Sequence, residues 1–209
     1  MITSQLGNLL ARIMSKKLIK NMKGDMTEHA QPEFDQQLLG VRDEVGRRME
    51  EFHVTKACEE IMEILMQVRR QLPLIFPRLS SSCLRWLSGS KAKLIPLQAN
   101  KTFTKLEPWL MADTTVPVLY VYESLRIAAI LLQPIMPVKA VELLDRLGVE
   151  ATERGWKDAV WRDRKEVDVE SLRGQLERAM KDWKSRGHLF PRVAGPGETD
   201  VPVRSGTLG

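Results

Sequence analysis

The sequence of 209 residues predicts an all-α fold, a helical bundle, and three observations lead to this prediction. Apolar residues recur at spacings of three and four through most of the chain, which is the period of an amphipathic helix. No segment alternates apolar and polar residues in the way that a half-buried β-strand does. Proline and glycine fall between the periodic segments, where they end helices. Each helix can therefore bury one apolar face in a common core.

Three helices are predicted in the first third of the chain, at Ile2–Lys20, Phe34–Phe52 and Val54–Gln67. Gly24 and Pro32 mark the loop between the first two helices. The predicted buried positions of the three helices are Ile2, Leu6, Leu9, Leu10 and Ile13; Leu38, Val41, Val45 and Met49; and Ala57, Ile61, Ile64 and Leu65.

The second half of the chain predicts a central helix with shorter helices around it. The segment Thr115–Gln133 is apolar on nearly all sides, so we expect it to be buried throughout and to end before Pro134 and Pro137. The segment Lys139–Leu147 is predicted to be a short helix with Gly148 as its C-terminal cap. The remaining helical segments are residues 99–109 and Val169–Lys184, whose apolar face is Leu172, Leu176, Met180 and Trp183.

Residues 68–98 interrupt this pattern and are predicted to form an irregular basic insert. They hold three prolines and six of the 32 basic residues of the chain, but none of its 27 acidic residues. Without them, Gln67 would continue into Ala99 and restore one amphipathic helix. Because valine codons begin with GT and glutamine can be encoded by CAG, which are the usual ends of an intron, we hypothesise a retained intron that is translated in frame. The alternative is a genuine basic loop that contacts phosphates.

The predicted helical domain spans residues 2–193, and residues 194–209 are predicted to be a disordered tail because they are mostly Gly, Pro and polar residues. The net charge of the chain is +5, but the acid-free insert accounts for it and the remainder is close to neutral. Composition alone is therefore weak support for nucleic-acid binding. The longest apolar run, Ile127–Leu132, is too short to cross a membrane, so no membrane segment is predicted.

The sequence lacks the patterns that most enzymes and metalloproteins carry. It has no glycine-rich phosphate-binding loop. The two cysteines do not have the paired spacing of a zinc site, and His29, His53 and His188 are scattered. We therefore predict no catalytic residue, no metal site and no bound cofactor in this chain.

Three short motifs stand out from the helical pattern. Gly7–Arg12 has the sequence Gly-Asn-Leu-Leu-Ala-Arg, and Ala99–Phe103 is followed by Glu107-Pro108-Trp109. The third motif is Leu125–Pro137, which is followed by Leu147-Gly148. In this order, and with Leu189-Phe190-Pro191-Arg192 near the end, they resemble the anticodon-binding domain of methionyl-tRNA synthetases, which are class I aminoacyl-tRNA synthetases. The resemblance covers residues 2–193 apart from the insert.

The resemblance implies a partner and a set of contact residues. In that family the domain is a helical bundle that follows the catalytic domain and recognises the CAU anticodon of tRNA. The residues that contact the first anticodon base correspond here to Asn8, Arg12 and Trp109, and Pro108 shapes the position of the tryptophan. ATP and methionine bind the catalytic domain, which we expect to be absent, so this chain should bind no cofactor and be inactive alone. The chain ends soon after the Leu-Phe-Pro-Arg motif, which favours the mitochondrial type and the mitochondrial matrix, with the cytoplasm as the alternative.

The residue types at these positions suit the implied role. Asn8 and Arg12 lie four residues apart, so they project together from the polar face of the first helix. An unstacked base needs hydrogen bonds to its Watson–Crick edge and an aromatic surface to stack on, which Trp109 would offer. Taken without the resemblance, the same Asn and Arg are typical of a solvated helix face. A tryptophan after a proline is then typical of packing.

Two other functions remain open on the sequence. A helical scaffold could bind a protein partner through the apolar residues of the insert; they are Leu72, Leu74, Ile75, Phe76, Leu84, Trp86 and Leu87. The chain could also be the corresponding domain of another class I synthetase, although the combination of Asn8, Arg12 and Trp109 argues against it. Arg126 is predicted to be structural and to pair with Glu123, which lies three residues earlier on the buried helix.

Overall fold

The computed structural model describes residues 2–24, 26, 32–75, 113–162, 164 and 166–190, and these residues form an all-α bundle. The helices in chain order are α1 (Ile2–Ile13), α2 (Lys16–Lys20), α3 (Pro32–Glu50), α4 (Val54–Ile75), α5 (Thr115–Leu132), α6 (Pro137–Leu147) and α7 (Val169–Arg186). Two short 3₁₀ turns, Ala151–Glu153 and Trp156–Asp158, lie between α6 and α7. The described part of the chain contains no β-strand, so the predicted fold class is confirmed.

Helix α5 is the centre of the bundle, and α1, α3, α4 and α6 pack against it. All 18 of its residues are buried, which confirms the prediction made from its nearly uniform apolar composition. Among the described residues it is the one helix long and apolar enough to cross a membrane, with a mean hydropathy of 1.5. Because the whole helix is enclosed by other helices, its composition is that of a core helix.

An aromatic cluster joins α3 to α5 and to the segment that precedes α7. The rings of Tyr120 and Trp161 stack with centroids 5.1 Å apart, and the Phe34 ring is tilted against Tyr120 with centroids 5.5 Å apart. The Tyr120 hydroxyl donates a 2.7 Å hydrogen bond to Asp35, and Arg164 forms a 2.8 Å ion pair with the same carboxylate. Burial of the rings fixes the position of α3, and the polar edge of the cluster satisfies the tyrosine hydroxyl.

The first predicted helix is broken in the structure, so the expectation of one helix over Ile2–Lys20 is wrong. Helix α1 ends at Ile13, and Ser15 has an extended backbone at φ −81° and ψ 123° before α2 begins. Leu18 and Ile19, which follow the break, are buried. Apolar spacing continued across the break, which is why the sequence alone predicted a single helix.

The third predicted helix is longer than expected, because α4 continues to Ile75, eight residues into the predicted irregular insert. The backbone of residues 68–75 is therefore helical and the prediction of irregular structure there is wrong. Val68 is buried like Ile61, Ile64 and Leu65. It follows them by seven, four and three residues, which are the spacings that place side chains on one face of a helix. The rest of the insert, residues 76–98, and the predicted tail lie outside the described residues.

The other helix ends lie close to the predicted ones. Helix α6 is followed by Gly148 at φ +72° and ψ 23°, the left-handed cap that the sequence predicted. Helix α7 begins after Asp168, whose carboxylate accepts hydrogen bonds from the backbone amides of Glu170 and Ser171. This N-terminal cap satisfies two of the amides that a helix leaves unpaired.

Candidate functional site

Helix α1 presents the two described residues of the predicted contact set on its outer face. Leu6, Leu9, Leu10 and Ile13 are all buried and fix the rotation of the helix against the core. Asn8 is consequently exposed, and Arg12, one turn later, is half-buried. Side chains four residues apart on a helix lie about 5–6 Å apart at their Cβ atoms. The structure thus brings Asn8 and Arg12 together on one accessible surface.

The segment after α7 packs against the N-terminal half of α1. A Cβ atom added to Gly7 would lie 3.8 Å from the Phe190 ring, so the ring lies directly over this glycine. Leu189 is buried, and its carbonyl accepts a 2.7 Å hydrogen bond from Lys139 Nζ on α6. The Leu-Phe part of the closing motif therefore braces the helix that carries Asn8.

Glu142 on α6 holds the two cations that anchor this closing segment. Its carboxylate pairs with Lys139 Nζ at 2.7 Å and with Arg146 Nη2 at 2.6 Å. Arg146 in turn donates to the carbonyl of Gly187 at 2.7 Å, and its guanidinium lies over the Trp183 ring. Burial alone would raise the pKa of Glu142, but the hydrogen bonds from Lys139 and Arg146 outweigh this effect and hold the pKa below its ordinary value of 4.5.

We expect Glu142→Gln to lower the free energy of unfolding by up to about 1 kcal/mol at neutral pH, because the two cations lose a charged partner. The folded-state pKa is below the unfolded value, so the stabilisation is complete above pH 4.5 and is lost as the pH falls through the folded pKa. Urea denaturation of both proteins at pH 7 and at pH 3.5 measures the effect. The difference in free energy of unfolding between the wild-type protein and Glu142→Gln should be smaller at pH 3.5 than at pH 7. A difference that does not depend on pH would contradict the role assigned to Glu142.

Hydrogen bonds connect the beginning of α5 to the end of α2 and to the residues that follow it. Thr114 Oγ1 donates a 2.6 Å hydrogen bond to the Leu18 carbonyl, and the Thr114 amide donates to the Asn21 carbonyl at 3.1 Å. The amide of Gly24 donates to Thr115 Oγ1 at 2.9 Å. Pro108 and Trp109, which complete the predicted contact set, lie before this junction and outside the described residues, so their part of the site stays a prediction.

Exposed lysines follow the predicted contact residues in the sequence, on α2 and just after it. Lys16, Lys17, Lys20 and Lys23 are all exposed. Residues 2–24 contain these four lysines and Arg12 but no acidic residue. Since RNA carries one negative charge per phosphate, a surface of this kind attracts RNA without regard to its sequence.

The buried pair of Glu123 and Arg126 confirms the structural role predicted for Arg126. Arg126 Nη2 lies 2.6 Å from Glu123 Oε2, and both side chains are buried. The same guanidinium donates to the carbonyls of Asp158 and Val160, each at 2.6 Å. Arg162 completes the network with a 2.8 Å ion pair to the other carboxylate oxygen of Glu123. The network holds the irregular segment after α6 against the core helix.

Within the described residues, no group of three or more His, Cys, Asp or Glu side chains gathers in a way that could hold a metal ion. The described residues of this region carry hydrogen-bonding and charged groups: an amide and a guanidinium on α1, and exposed ammonium groups on α2.

Comparison with known proteins relates part of the chain to one group of enzymes. The chain is 42% identical over 66 residues to a probable mitochondrial methionine–tRNA ligase of Schizosaccharomyces pombe. It is 42% identical over 75 residues to the mitochondrial methionine–tRNA ligase of Mus musculus, and 44% identical over 69 residues to a probable one of Neurospora crassa. The matches cover 30%, 36% and 30% of this chain. No family model matches it.

The matched region is a small part of each relative, at 12%, 12% and 11% of its length. The chain therefore contains a region related to mitochondrial methionine–tRNA ligases. All three relatives are named as mitochondrial enzymes, which supports the mitochondrial location expected from the sequence.

Proposed function

We propose that this chain recognises the anticodon loop of a tRNA with a CAU anticodon, as the anticodon-binding part of a mitochondrial methionine–tRNA ligase. The observation that carries the proposal is the placement of Asn8 and Arg12 side by side on the accessible face of α1. The relation to three methionine–tRNA ligases supports methionine over the amino acids of other class I synthetases. Attachment of methionine, which uses ATP, belongs to a catalytic domain of the parent enzyme.

The side chains on α1 suit the edge of a cytosine, the first base of the CAU anticodon. The Watson–Crick edge of cytosine presents one amino donor and two acceptors. Arg12 supplies N–H donors for the acceptors, and the Asn8 amide oxygen accepts from the amino group. Trp109 supplies a stacking surface for the unstacked base, a contact worth about 1–3 kcal/mol. Pro108 has a fixed φ, which restricts the direction from which the backbone enters Trp109.

A rigid protein scaffold makes such recognition selective, because the contacting side chains must be held in place before the RNA binds. Leu9 and Leu10 seat α1 on the core, and Phe190 covers its N-terminal half at Gly7. A uracil in place of the cytosine exchanges a donor and an acceptor, so it leaves polar groups unpaired and loses affinity. The scaffold alternative depends on the apolar side chains of the insert, which lie outside the described residues.

We expect the full chain to bind a stem-loop with the anticodon CAU more tightly than the same stem-loop with UAU. Asn8→Ala and Arg12→Gln should each reduce this preference, and Trp109→Ala should weaken binding to CAU by about 5- to 150-fold, the equivalent of 1–3 kcal/mol. Fluorescence anisotropy with labelled stem-loops measures both affinities.

The matched control is Arg42→Gln, which removes one positive charge from the outer face of α3 and should leave the preference unchanged. Circular dichroism shows whether each variant keeps the helical fold. Equal affinity of the folded wild-type chain for the two stem-loops would refute anticodon recognition, and the similarity to the ligases would then describe ancestry alone.

A further inference from the structure

We infer that the cleft between α2 and α7 is a second RNA contact, which binds phosphates of the RNA backbone beside the anticodon loop. This inference rests on the proposed function. The cleft has a volume of about 380 Å³. Lys20, Lys23 and Gly24 lie along one wall, and Glu170 and Arg173 lie along the other. Lys20 and Lys23 are neighbours in the sequence, and folding brings Arg173 from the distant helix α7 to join them.

The cleft lies at the end of a row of lysines on α2. Lys16 and Lys20 are one turn apart and project from the same side of α2, so they form a row that leads into the cleft. Eight residues separate Arg12 from Lys20, and the extended backbone of Ser15 lies between them, so the chain path between their Cα atoms is at most about 29 Å. At about 3.4 Å per nucleotide along a stacked strand, fewer than about ten nucleotides cover this span. An RNA strand whose base contacts Asn8 and Arg12 can therefore reach the cleft with its adjoining phosphates.

Arg173 is placed to exchange its present partners for a phosphate. Its contacts with the carboxylates of Glu170 and Glu177 are 3.3 to 3.5 Å long. Strong charged hydrogen bonds of this type are about 2.7–2.9 Å long. Arg146, whose role is structural, contacts Glu142 at 2.6 Å. A planar guanidinium held this loosely can turn to a phosphate and donate two parallel hydrogen bonds.

The backbone around the cleft is already committed to hydrogen bonds. The Gly24 amide donates to Thr115 Oγ1 at 2.9 Å, and the Lys23 amide donates to Asp113 Oδ1 at 3.2 Å. These hydrogen bonds hold the backbone on this side of the cleft in place. The lysine and arginine side chains would then attract the phosphate. Glu170 lies in the cleft and Glu177 contacts Arg173 beside it, so both carboxylates oppose anion binding, but the three cations outnumber these two negative charges.

The test is the triple variant Lys20→Gln, Lys23→Gln, Arg173→Gln of the full chain. Its affinity for the CAU and UAU stem-loops is measured by anisotropy between 50 and 200 mM salt. Each phosphate contact contributes about 0.7 to 0.9 to the slope of log affinity against log salt. We expect the slope to fall by about 2 to 3, with the preference for CAU retained, because phosphate contacts carry no sequence information.

The matched control is Lys56→Gln, Lys157→Gln, Arg178→Gln, which removes the same charge from exposed residues on other surfaces. Its slope should equal that of the wild-type chain. An unchanged slope in the cleft variant, or an equal fall in both variants, overturns the inference and leaves anticodon recognition standing. If the wild-type chain shows no preference for CAU but the cleft variant still loses slope on both stem-loops, the proposed function fails and the cleft remains a phosphate-binding site.

Discussion

Replacing Arg126 by methionine is expected to lower the free energy of unfolding by about 3–5 kcal/mol, because it leaves the buried carboxylate of Glu123 with one remaining partner. The change also strands the carbonyls of Asp158 and Val160, each of which accepts a hydrogen bond from Arg126. For a chain of this size, 1 kcal/mol corresponds to about 2–4 °C in Tm. Thermal and urea denaturation should therefore show a fall in Tm on the order of 10 °C.

The surviving partner does not rescue the variant. Arg162 pairs with Glu123 at 2.8 Å, but its side chain is 43% exposed, so part of its charge is screened by water. Arg126, with 3% of its side chain exposed, supplies the interaction that the buried carboxylate needs. Adding Glu123→Gln to Arg126→Met should recover part of the lost stability, since it removes the uncompensated charge.

The matched control is Arg42→Met, which breaks an exposed ion pair with Asp43 and should cost no more than about 1 kcal/mol. If Arg126→Met lowered the free energy of unfolding no more than Arg42→Met does, the buried network would not anchor the segment after α6. If the double variant were no more stable than Arg126→Met alone, the uncompensated charge would not be the cause, and the loss would come from the stranded carbonyls.

The sequence predicted the parts of the fold that follow from local periodicity. Helix α5 was recognisable because a helix enclosed on all sides must be apolar on all sides. The pair of Glu123 and Arg126 followed from their spacing of three residues on that helix. Arg162 was missed because it meets Glu123 across 39 residues, through a segment with no periodic pattern.

In the candidate site too, the sequence predicted the features that follow from local periodicity and missed the contacts between distant parts of the chain. The exposure of Asn8 follows from the buried stripe of Leu6, Leu9 and Leu10 on the same helix. The contact of Phe190 with Gly7 joins the two ends of the described chain, and no local pattern contains that information. The cleft between α2 and α7 was missed for the same reason: Lys20 and Arg173 become neighbours only after folding. The parts played by Pro108 and Trp109 stay predictions.

Gly148→Ala is expected to lower the free energy of unfolding by about 2–4 kcal/mol, for two reasons. Gly148 has φ +72°, a conformation that costs an L-residue with a side chain about 1–2 kcal/mol. In addition, the new Cβ would lie 2.9 Å from Cγ of Gln175. That side chain cannot move away freely, because its amide donates to the Tyr122 hydroxyl at 2.8 Å and to the Leu147 carbonyl at 3.0 Å. Each bond is worth about 0.5–1.5 kcal/mol.

A double-mutant cycle separates the two causes. In the background of Gln175→Ala the clash and both hydrogen bonds are already gone, so Gly148→Ala should then cost only the 1–2 kcal/mol of the backbone conformation. Gly40→Ala is the matched control, because Gly40 lies within α3 and an added Cβ meets nothing within 4 Å. That change should stabilise the protein by about 0.5–1 kcal/mol, since alanine favours a helix more than glycine does. An equal cost of Gly148→Ala in both backgrounds would assign the whole effect to the backbone and none to the packing of α7 on α6.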